Sequence, residues 1–309
     1  MMLAPGLDIA AVVGLAVALD AALGEPPTRM HPVAWFGTLV DRLETGVGDS
    51  SSGGAVIALL GPIGAAAIVG ALVHLGGAIH WTIGLALAGL GLFLTVSRRR
   101  LLAIGTSVVG QSAVDPDGAR DRLPALVGRD PRALEPAEIR SAAIESMAEN
   151  LADGFIAPLL AFVAVATISV PLGVAAATWV KAVNTLDAML GYPDRRIGTA
   201  SARLDDAVMW IPARVTAGLI ALAGRRPRAA LRARPMAQNP ASPNSGWPMA
   251  TLAAVIDRRL EKPESYVIGE GRPEPTPRDG ASAIVIVNRA AWLGVMTALA
   301  WAMLVWVSG

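Results

Sequence analysis

Hydrophobic and polar positions along this chain fall into long blocks. Residues 50 to 97 run for 48 positions without an Asp, Glu, Lys or Arg, enough for two membrane passes of about 20 residues each. Gly61-Pro62, Gly76-Gly77, His74 and His80 are then expected near bends or interfaces. Residues 290 to 309 form a third uncharged block, with Trp292, Trp301 and Trp306 suited to the headgroup zone. Residues 8 to 23 form a weaker one, interrupted by Asp20. A further 27 residues, 154 to 180, are uncharged and bracketed by two dense polar clusters. With Pro158 and Pro171 as breakers, that run reads either as one tilted span or as a shallow hairpin returning to its starting side. Residues 207 to 224, broken by Pro212 and Arg214, pose the same choice. The arrangement with every polar cluster on one side is preferred.

Between these blocks the pattern is that of water-facing helix and loop. From Arg98 to Asp153 the segment reads as helical, with Asp-Pro at 115–116 and 130–131 marking turns. Pro136 suits the first turn of a helix running to about Asn150. On it Glu138, Glu145 and Glu149 form one stripe, and Ile139, Ala143 and Met147 an apolar neighbour. The run 225 to 246, rich in arginine and proline, reads as a loop against the anionic inner membrane surface. A short helix from Pro248 to Leu260 and a non-helical connection from Lys262 to Gly280 follow. The expected fold is an all-α polytopic integral membrane protein with about four to six embedded helices and cytoplasmic-facing helical and loop segments. It forms one membrane domain, 1–309, with polar segments at 20–37, 138–153, 181–214 and 239–263.

Composition supports this reading: 53% of residues are hydrophobic and 17% charged, too apolar for an ordinary soluble domain. Net charge is only +1, which gives no support for nucleic-acid binding as a bulk electrostatic effect. Lys and Arg occur at Arg29, at Arg42 and between Arg98 and Arg289, so the positive-inside tendency places 24–50 and 98–289 in the cytoplasm. Without a basic leader, the N-terminal stretch is not expected to be a cleaved signal. Cysteine is absent, which removes disulfides, thiolate catalysis and iron–sulfur ligation. The three histidines lack zinc-motif spacing. No Walker A loop or GxGxxG turn is present, so nucleotide phosphates would need arginines, backbone amides and a carboxylate-held metal.

Chemistry-bearing residues gather at the block edges. Glu145, Glu149 and Asp153 are spaced four apart and could share a divalent cation from one helix face, or simply form a solvated acidic face. Asn150 and Asn184 each stand three residues before an acid, Asp153 and Asp187. Lys181 is one of only two lysines; following an apolar stretch, it could meet a phosphate or carboxylate, or snorkel at a helix end. Arg203, Asp205 and Asp206 could bind phosphate and metal, or pair internally. In the first polar loop, Glu25, His31 and Trp35 could position a substrate; His31 serves equally as a backbone-bonded structural group. Asn244 and Trp247 offer amide donors and a flat ring for a planar ligand, or turn capping. His74 and His80 are assigned packing or interfacial roles.

Taken together, these segments resemble the cobalamin-biosynthesis CobD/CbiB family. The resemblance is carried in order by Asp20-Ala-Ala-Leu-Gly-Glu-Pro-Pro27 with His31-Pro-Val-Ala-Trp35, by Glu145-Ser-Met-Ala-Glu-Asn-Leu-Ala-Asp-Gly154, and by Lys181-Ala-Val-Asn-Thr-Leu-Asp187. Ser201-Ala-Arg-Leu-Asp-Asp206 with Ile211-Pro-Ala-Arg214, Asn244-Ser-Gly-Trp-Pro248 and Leu260-Glu-Lys-Pro263 continue it. Leu151 and Ala152 depart from the block's more frequent pairs but leave its carboxylates in place. The resemblance implies an adenosylcobinamide-phosphate synthase of the bacterial-type inner membrane. Such an enzyme joins adenosylcobyric acid, a corrinoid, to (R)-1-amino-2-propanol or its O-phosphate, with ATP and Mg²⁺ activating the acid. Glu145, Glu149, Lys181 and Asp187 are the expected catalytic groups, and Glu149, Asp153, Asp205 and Asp206 the metal ligands. Glu25, His31, Trp35, Asn150, Asn184, Arg203, Asn244 and Trp247 are the expected substrate contacts. The lipid bilayer and other late cobalamin enzymes are expected partners, and nucleic acid is not. A transporter, a scaffold, or an intramembrane prenyltransferase-like enzyme using the paired Asn-x-x-Asp elements are the alternatives.

Overall fold

The computed structural model describes residues 5–126, 132–192 and 194–308; the expected Asp130-Pro131 turn lies outside the described residues. The helices in chain order begin with α1 (Pro5–Leu23), α2 (Pro32–Val47), α3 (Ser51–Ile79), α4 (Trp81–Phe93) and α5 (Arg98–Gln111). They continue with α6 (Pro116–Arg122), α7 (Pro136–Leu151), α8 (Ala157–Ala166), α9 (Val170–Leu190) and α10 (Thr199–Val208). Then come α11 (Trp210–Ala223), α12 (Ala229–Ala233), α13 (Gly246–Ile256), strands β1 (Leu260–Lys262) and β2 (Tyr266–Ile268), and α14 (Pro277–Ser308).

Among the described residues five helical segments are long and apolar enough to cross a membrane: Gly6–Leu23, Ser51–Ile79, Trp81–Gln111, Pro136–Ala166 and Pro277–Ser308. The α10–α11 pair, bent by 48°, makes a sixth if it acts as one span. This is the mostly helical, multi-pass architecture that the apolar blocks predict. Several details differ. Two of these segments, Trp81–Gln111 and Pro136–Ala166, run into the 98–153 stretch expected to face water, and α7 is buried along most of its length. The break in the 50–97 block falls at His80, one of the expected bends, whose Nδ1 accepts the Thr82 N–H and caps α4; Pro62, expected at another, lies buried inside α3. A membrane helix tolerates an internal proline where packing satisfies the freed backbone groups. The short helix after 246 stops at Ile256, where Asp257 turns left-handed at φ 58°. The connection beyond it contains an antiparallel hairpin, β1 against β2, pairing Glu261 with Val267. The last helix starts at Pro277, well before the uncharged block, because Thr276 and Asp279 cap it reciprocally: Asp279 accepts the Thr276 N–H at 2.8 Å and Thr276 Oγ1 accepts the Asp279 N–H at 3.3 Å.

The chain divides into two compact units. The first comprises 1–97, 153–209 and 295–309. Within it α9 packs against α3 and α8, and Val40, Ile57, Leu186, Leu190 and Ile197 form a buried cluster. The run 154–180 is a helical hairpin. α8 ends at Ala166, Ser169 caps α9 by accepting the Leu172 N–H, and Pro171 occupies the first turn of α9, where its missing N–H costs nothing. Gly173 makes the close approach possible: a Cβ there would stand 2.7 Å from the Ala166 Cβ and 2.9 Å from its Cα. The second unit comprises 98–152 and 210–294. Its core is built by α5, α6 and α7, with Val108, Leu123, Ile139 and Ala143 buried together, and by α11 and α12 against α13.

Gly173→Ala is expected to destabilise the protein by about 1–3 kcal/mol through overpacking of the α8–α9 hairpin. Thermal unfolding in detergent measures it; a melting point equal to wild type refutes the close-packing assignment.

Candidate functional site

In the first unit the helical hairpin gathers charge. Lys181 sits on α9, which is not among the five candidate spans, and its ammonium lies in the field of Asp153 and Glu25. Burial pushes Lys181 below its ordinary range, and the two carboxylates pull it back up. Asp153 belongs to a π-helical segment, Ala152–Ile156, between α7 and α8. The wide turn exposes backbone, and the Gly154 carbonyl is taken up by the Ser97 N–H at 3.0 Å. Glu25 follows α1 in the Gly24-Glu-Pro-Pro loop, where Gly24 has φ +68°. Thus a loop, a π turn and a mid-helix lysine meet.

Two turns further along α9 stands Asp187. Its carboxyl is pushed up to about 6 by burial and by the negative charge of Asp206 on α10. Gly191 lies directly behind it, since a Cβ there would stand 1.9 Å from Asp187 Oδ1. Lys181, Asn184 and Asp187 lie within roughly a third of the helix circumference, and all three are partly buried. On α10, Asp205 is buried, Asp206 partly so and Arg203 exposed. Arg203 makes no ion pair among the described residues. Two acids not expected from sequence hold the approach to α10: Glu44 pairs with Arg195, and Asp49 Oδ1 accepts the Ile197 N–H at 2.9 Å. Their signal was weak because each is an isolated acid near a helix end. His31 takes its structural alternative, its Nδ1 accepting the Val33 N–H at 3.2 Å to cap α2. Trp35 donates from Nε1 to the Arg29 carbonyl at 2.9 Å and leaves its ring exposed.

The second unit holds a different arrangement. Glu145 is buried at 4% exposure. It accepts hydrogen bonds from Ser141 Oγ and Tyr266 Oη, both at 2.6 Å, and so ties α7 to the β-hairpin. Glu149 is partly buried; Asn150 donates to the Ser146 carbonyl at 2.9 Å. The guanidinium of Arg214 lies between two indoles, 4.1 Å from the Trp210 ring centre and 4.9 Å from that of Trp247. It donates to Asn244 Oδ1 at 3.1 Å. Asn244 and Trp247 therefore come together, organised by Arg214 and Trp210, which were not expected. The available signal was an arginine four residues after a tryptophan within an apolar helix, since a charge in such a setting is costly unless it serves a site.

Among the described residues no group of three or more His, Asp or Glu side chains is arranged to hold a metal alone. The acids of the first unit occur as pairs instead: Asp153 and Glu25 share the field at Lys181, and Asp187 faces Asp206. Paired carboxylates fit a magnesium ion that keeps waters and substrate phosphates as its other ligands. They do not fit an all-protein metal cage.

The sequence profile described as CobD/Cbib protein matches residues 13–305. A probable cobalamin biosynthesis protein CobD from Methanothrix thermoacetophila is 38% identical over 300 residues, covering 91% of this chain and 93% of the relative. The cobalamin biosynthesis protein CobD of Rhodobacter capsulatus is 35% identical, covering 92% and 94% respectively. The cobalamin biosynthesis protein CbiB of Salmonella choleraesuis is 33% identical, covering 93% and 94%. No solved structure matches the chain. With a matching profile across nearly its whole length and relatives aligned end to end, this chain belongs to the CobD/CbiB family of cobalamin-biosynthesis proteins.

Proposed function

We propose that the protein is an adenosylcobinamide-phosphate synthase, an acid–amine ligase of the inner membrane whose polar segments face the cytoplasm. The supporting observation is the hairpin that brings Lys181 into the fields of Asp153 and Glu25, with Asp187 further along the same helix in the field of Asp206 on α10. A carboxylate and an ammonium do not condense in water, so the acid must first be activated. A free propionate oxygen of adenosylcobyric acid attacks the γ-phosphorus of MgATP; ADP leaves and an acyl phosphate forms. The amine nitrogen of aminopropanol, or of its O-phosphate, then attacks the acyl carbon. Phosphate departs, the amide forms, and the amine proton passes to a carboxylate base.

Lys181 and Arg203 offer cations for phosphate oxygens. Of the expected metal ligands, Asp153 at the π turn and Asp205 and Asp206 on α10 would each offer oxygens, singly or in pairs, to the magnesium that accompanies ATP. Asp187 suits the proton acceptor, because a carboxyl near 6 is ionised at neutral pH yet more basic than an ordinary aspartate. Glu145 is proposed to act within the second unit, holding α7 and the β-hairpin in place through its hydroxyl partners. In the first unit Glu25, His31, Trp35 and Asn184 are proposed substrate contacts; in the second Asn150, Asn244 and Trp247 are, the Arg214 stack offering a planar face to a flat macrocycle.

The direct test incubates purified protein with adenosylcobyric acid, aminopropanol phosphate, ATP and Mg²⁺ and weighs the corrinoid product by mass spectrometry. One amide per ADP released is expected, and Lys181→Ala should lower the rate by about 10²–10⁴-fold. Flux of corrinoid across sealed vesicles with no amide formed would reject the ligase in favour of a transporter.

A second expectation concerns Asp187. Its folded-state carboxyl, near 6, lies above the ordinary 3.8, so between these values the folded protein binds more protons than the unfolded chain. Its contribution to stability is therefore fully present below about 4 and is lost as pH rises through about 6. Unfolding of magnesium-free protein across this window should show that loss in wild type and not in Asp187→Asn. Identical pH profiles would mean that Asp187 titrates normally.

A further inference from the structure

The second unit contains a cleft of about 640 Å³ remote in composition from the acidic groups of the proposed ligase. Its wall carries four arginines: Arg225 and Arg226 from the end of α11, and Arg278 and Arg289 from α14. The one acid in the lining, Asp279, is already engaged, accepting from Arg258 Nε at 2.7 Å and from Thr276. None of the four guanidinium groups forms an ion pair among the described residues. Four like charges facing one cavity repel one another unless an anion lies between them.

Local geometry makes this cluster hard to explain as helix capping. The carbonyls at the end of α11 are satisfied by backbone: Ile220 accepts from Gly224, Ala221 from Arg226 and Leu222 from Arg225. Arg225 has φ 55°, a left-handed conformation usually left to glycine or asparagine, so an arginine is held there at a conformational cost. On α14, Arg278, Ser282, Val285 and Arg289 recur at i, i+4, i+7 and i+11 and all line the cleft, a single stripe about 16 Å long. Val255, Ile256 and Ile286 add an apolar floor.

The level of the cleft in the bilayer selects its ligand. Arg289 is the last charged residue of α14, and the exposed Trp292 follows, stacked under Arg98 at 4.8 Å. Beyond Arg289 the helix runs uncharged to Ser308, about 28 Å, close to the thickness of a hydrocarbon core. Arg289 and Trp292 thus mark the headgroup level, and the arginine-lined wall extends from there toward the aqueous side. We propose that this cleft is a binding site for a phosphate ester, occupied by the headgroup of an anionic phospholipid whose acyl chains lie along the apolar floor and the neighbouring membrane. The site stands independently of the ligase reading.

The test titrates delipidated full-length protein with phosphatidylglycerol or phosphatidylcholine and follows retention by native mass spectrometry. Phosphatidylglycerol is expected to bind about tenfold more tightly than phosphatidylcholine. That preference should disappear in Arg226→Gln/Arg289→Gln, and persist in Arg226→Lys/Arg289→Lys and in Arg232→Gln/Arg234→Gln, whose arginines lie outside the cleft. Millimolar glycerol phosphate should leave the lipid in place. If the Gln pair fails to fold, as judged by helical circular dichroism, the two single Gln variants carry the comparison. Equal retention of both lipids by wild type, or an undiminished preference in the Gln variants, overturns the site. Displacement by glycerol phosphate overturns the lipid as its occupant and assigns the cleft to a soluble phosphate ester.

Discussion

The ammonium of Lys181, withdrawn from water along a helix of an apolar hairpin, is the constraint on which the first unit depends. Burial disfavours its charged form, and the fields of Asp153 and Glu25 oppose that effect. Those acids come from distant parts of the chain, so the lysine is tolerable only if α1's following loop, the π turn and α9 all arrive together. The short turn capped by Ser169 and the missing side chain at Gly173 permit that meeting. A buried ion cluster of this kind contributes little net stability but penalises every arrangement that separates its members.

Elsewhere the chain satisfies buried polarity by other means. Glu145 takes two hydroxyl donors, which meet much of its demand for hydrogen bonds. Arg214 is stabilised by two π faces and an amide oxygen. The contrast is physically useful: hydroxyl-bound and stacked groups are held in fixed orientations, whereas Lys181, Asp187 and the arginines around the cleft keep charge available for a ligand.

Much of the helical framework was legible because membrane helices must be long, apolar and internally hydrogen bonded. The uncharged run into α14 follows directly from this. The start of α7 at Pro136 is legible from the proline itself, whereas span or hairpin for 154–180 stays open in the sequence and is decided by the packing of α8 on α9. The break in the 50–97 block was legible only as one of several candidate bends. Pro62 and His80 both look like interruptions in one dimension, and only packing decides which backbone is satisfied in place. The β-hairpin after 260 escaped notice because strands of three residues leave no periodic pattern.

The candidate site divides in the same way. Residue type and block position marked Lys181, Asp187, Asp206 and Asn244 as chemically costly and therefore worth explaining, and the order of motifs carried the family. Which of them share a field depended on tertiary contacts: Asp187 with Asp206, Lys181 with Asp153 and Glu25, Asn244 with Arg214. Spacing along one helix could align Glu145, Glu149 and Asp153 only on the assumption of uniform α geometry, and the π segment from Ala152 interrupts it. Hydropathy is a local property and can be read residue by residue. Electrostatic partnership depends on distances between segments remote in the chain, so it is decided only when those segments fold against one another.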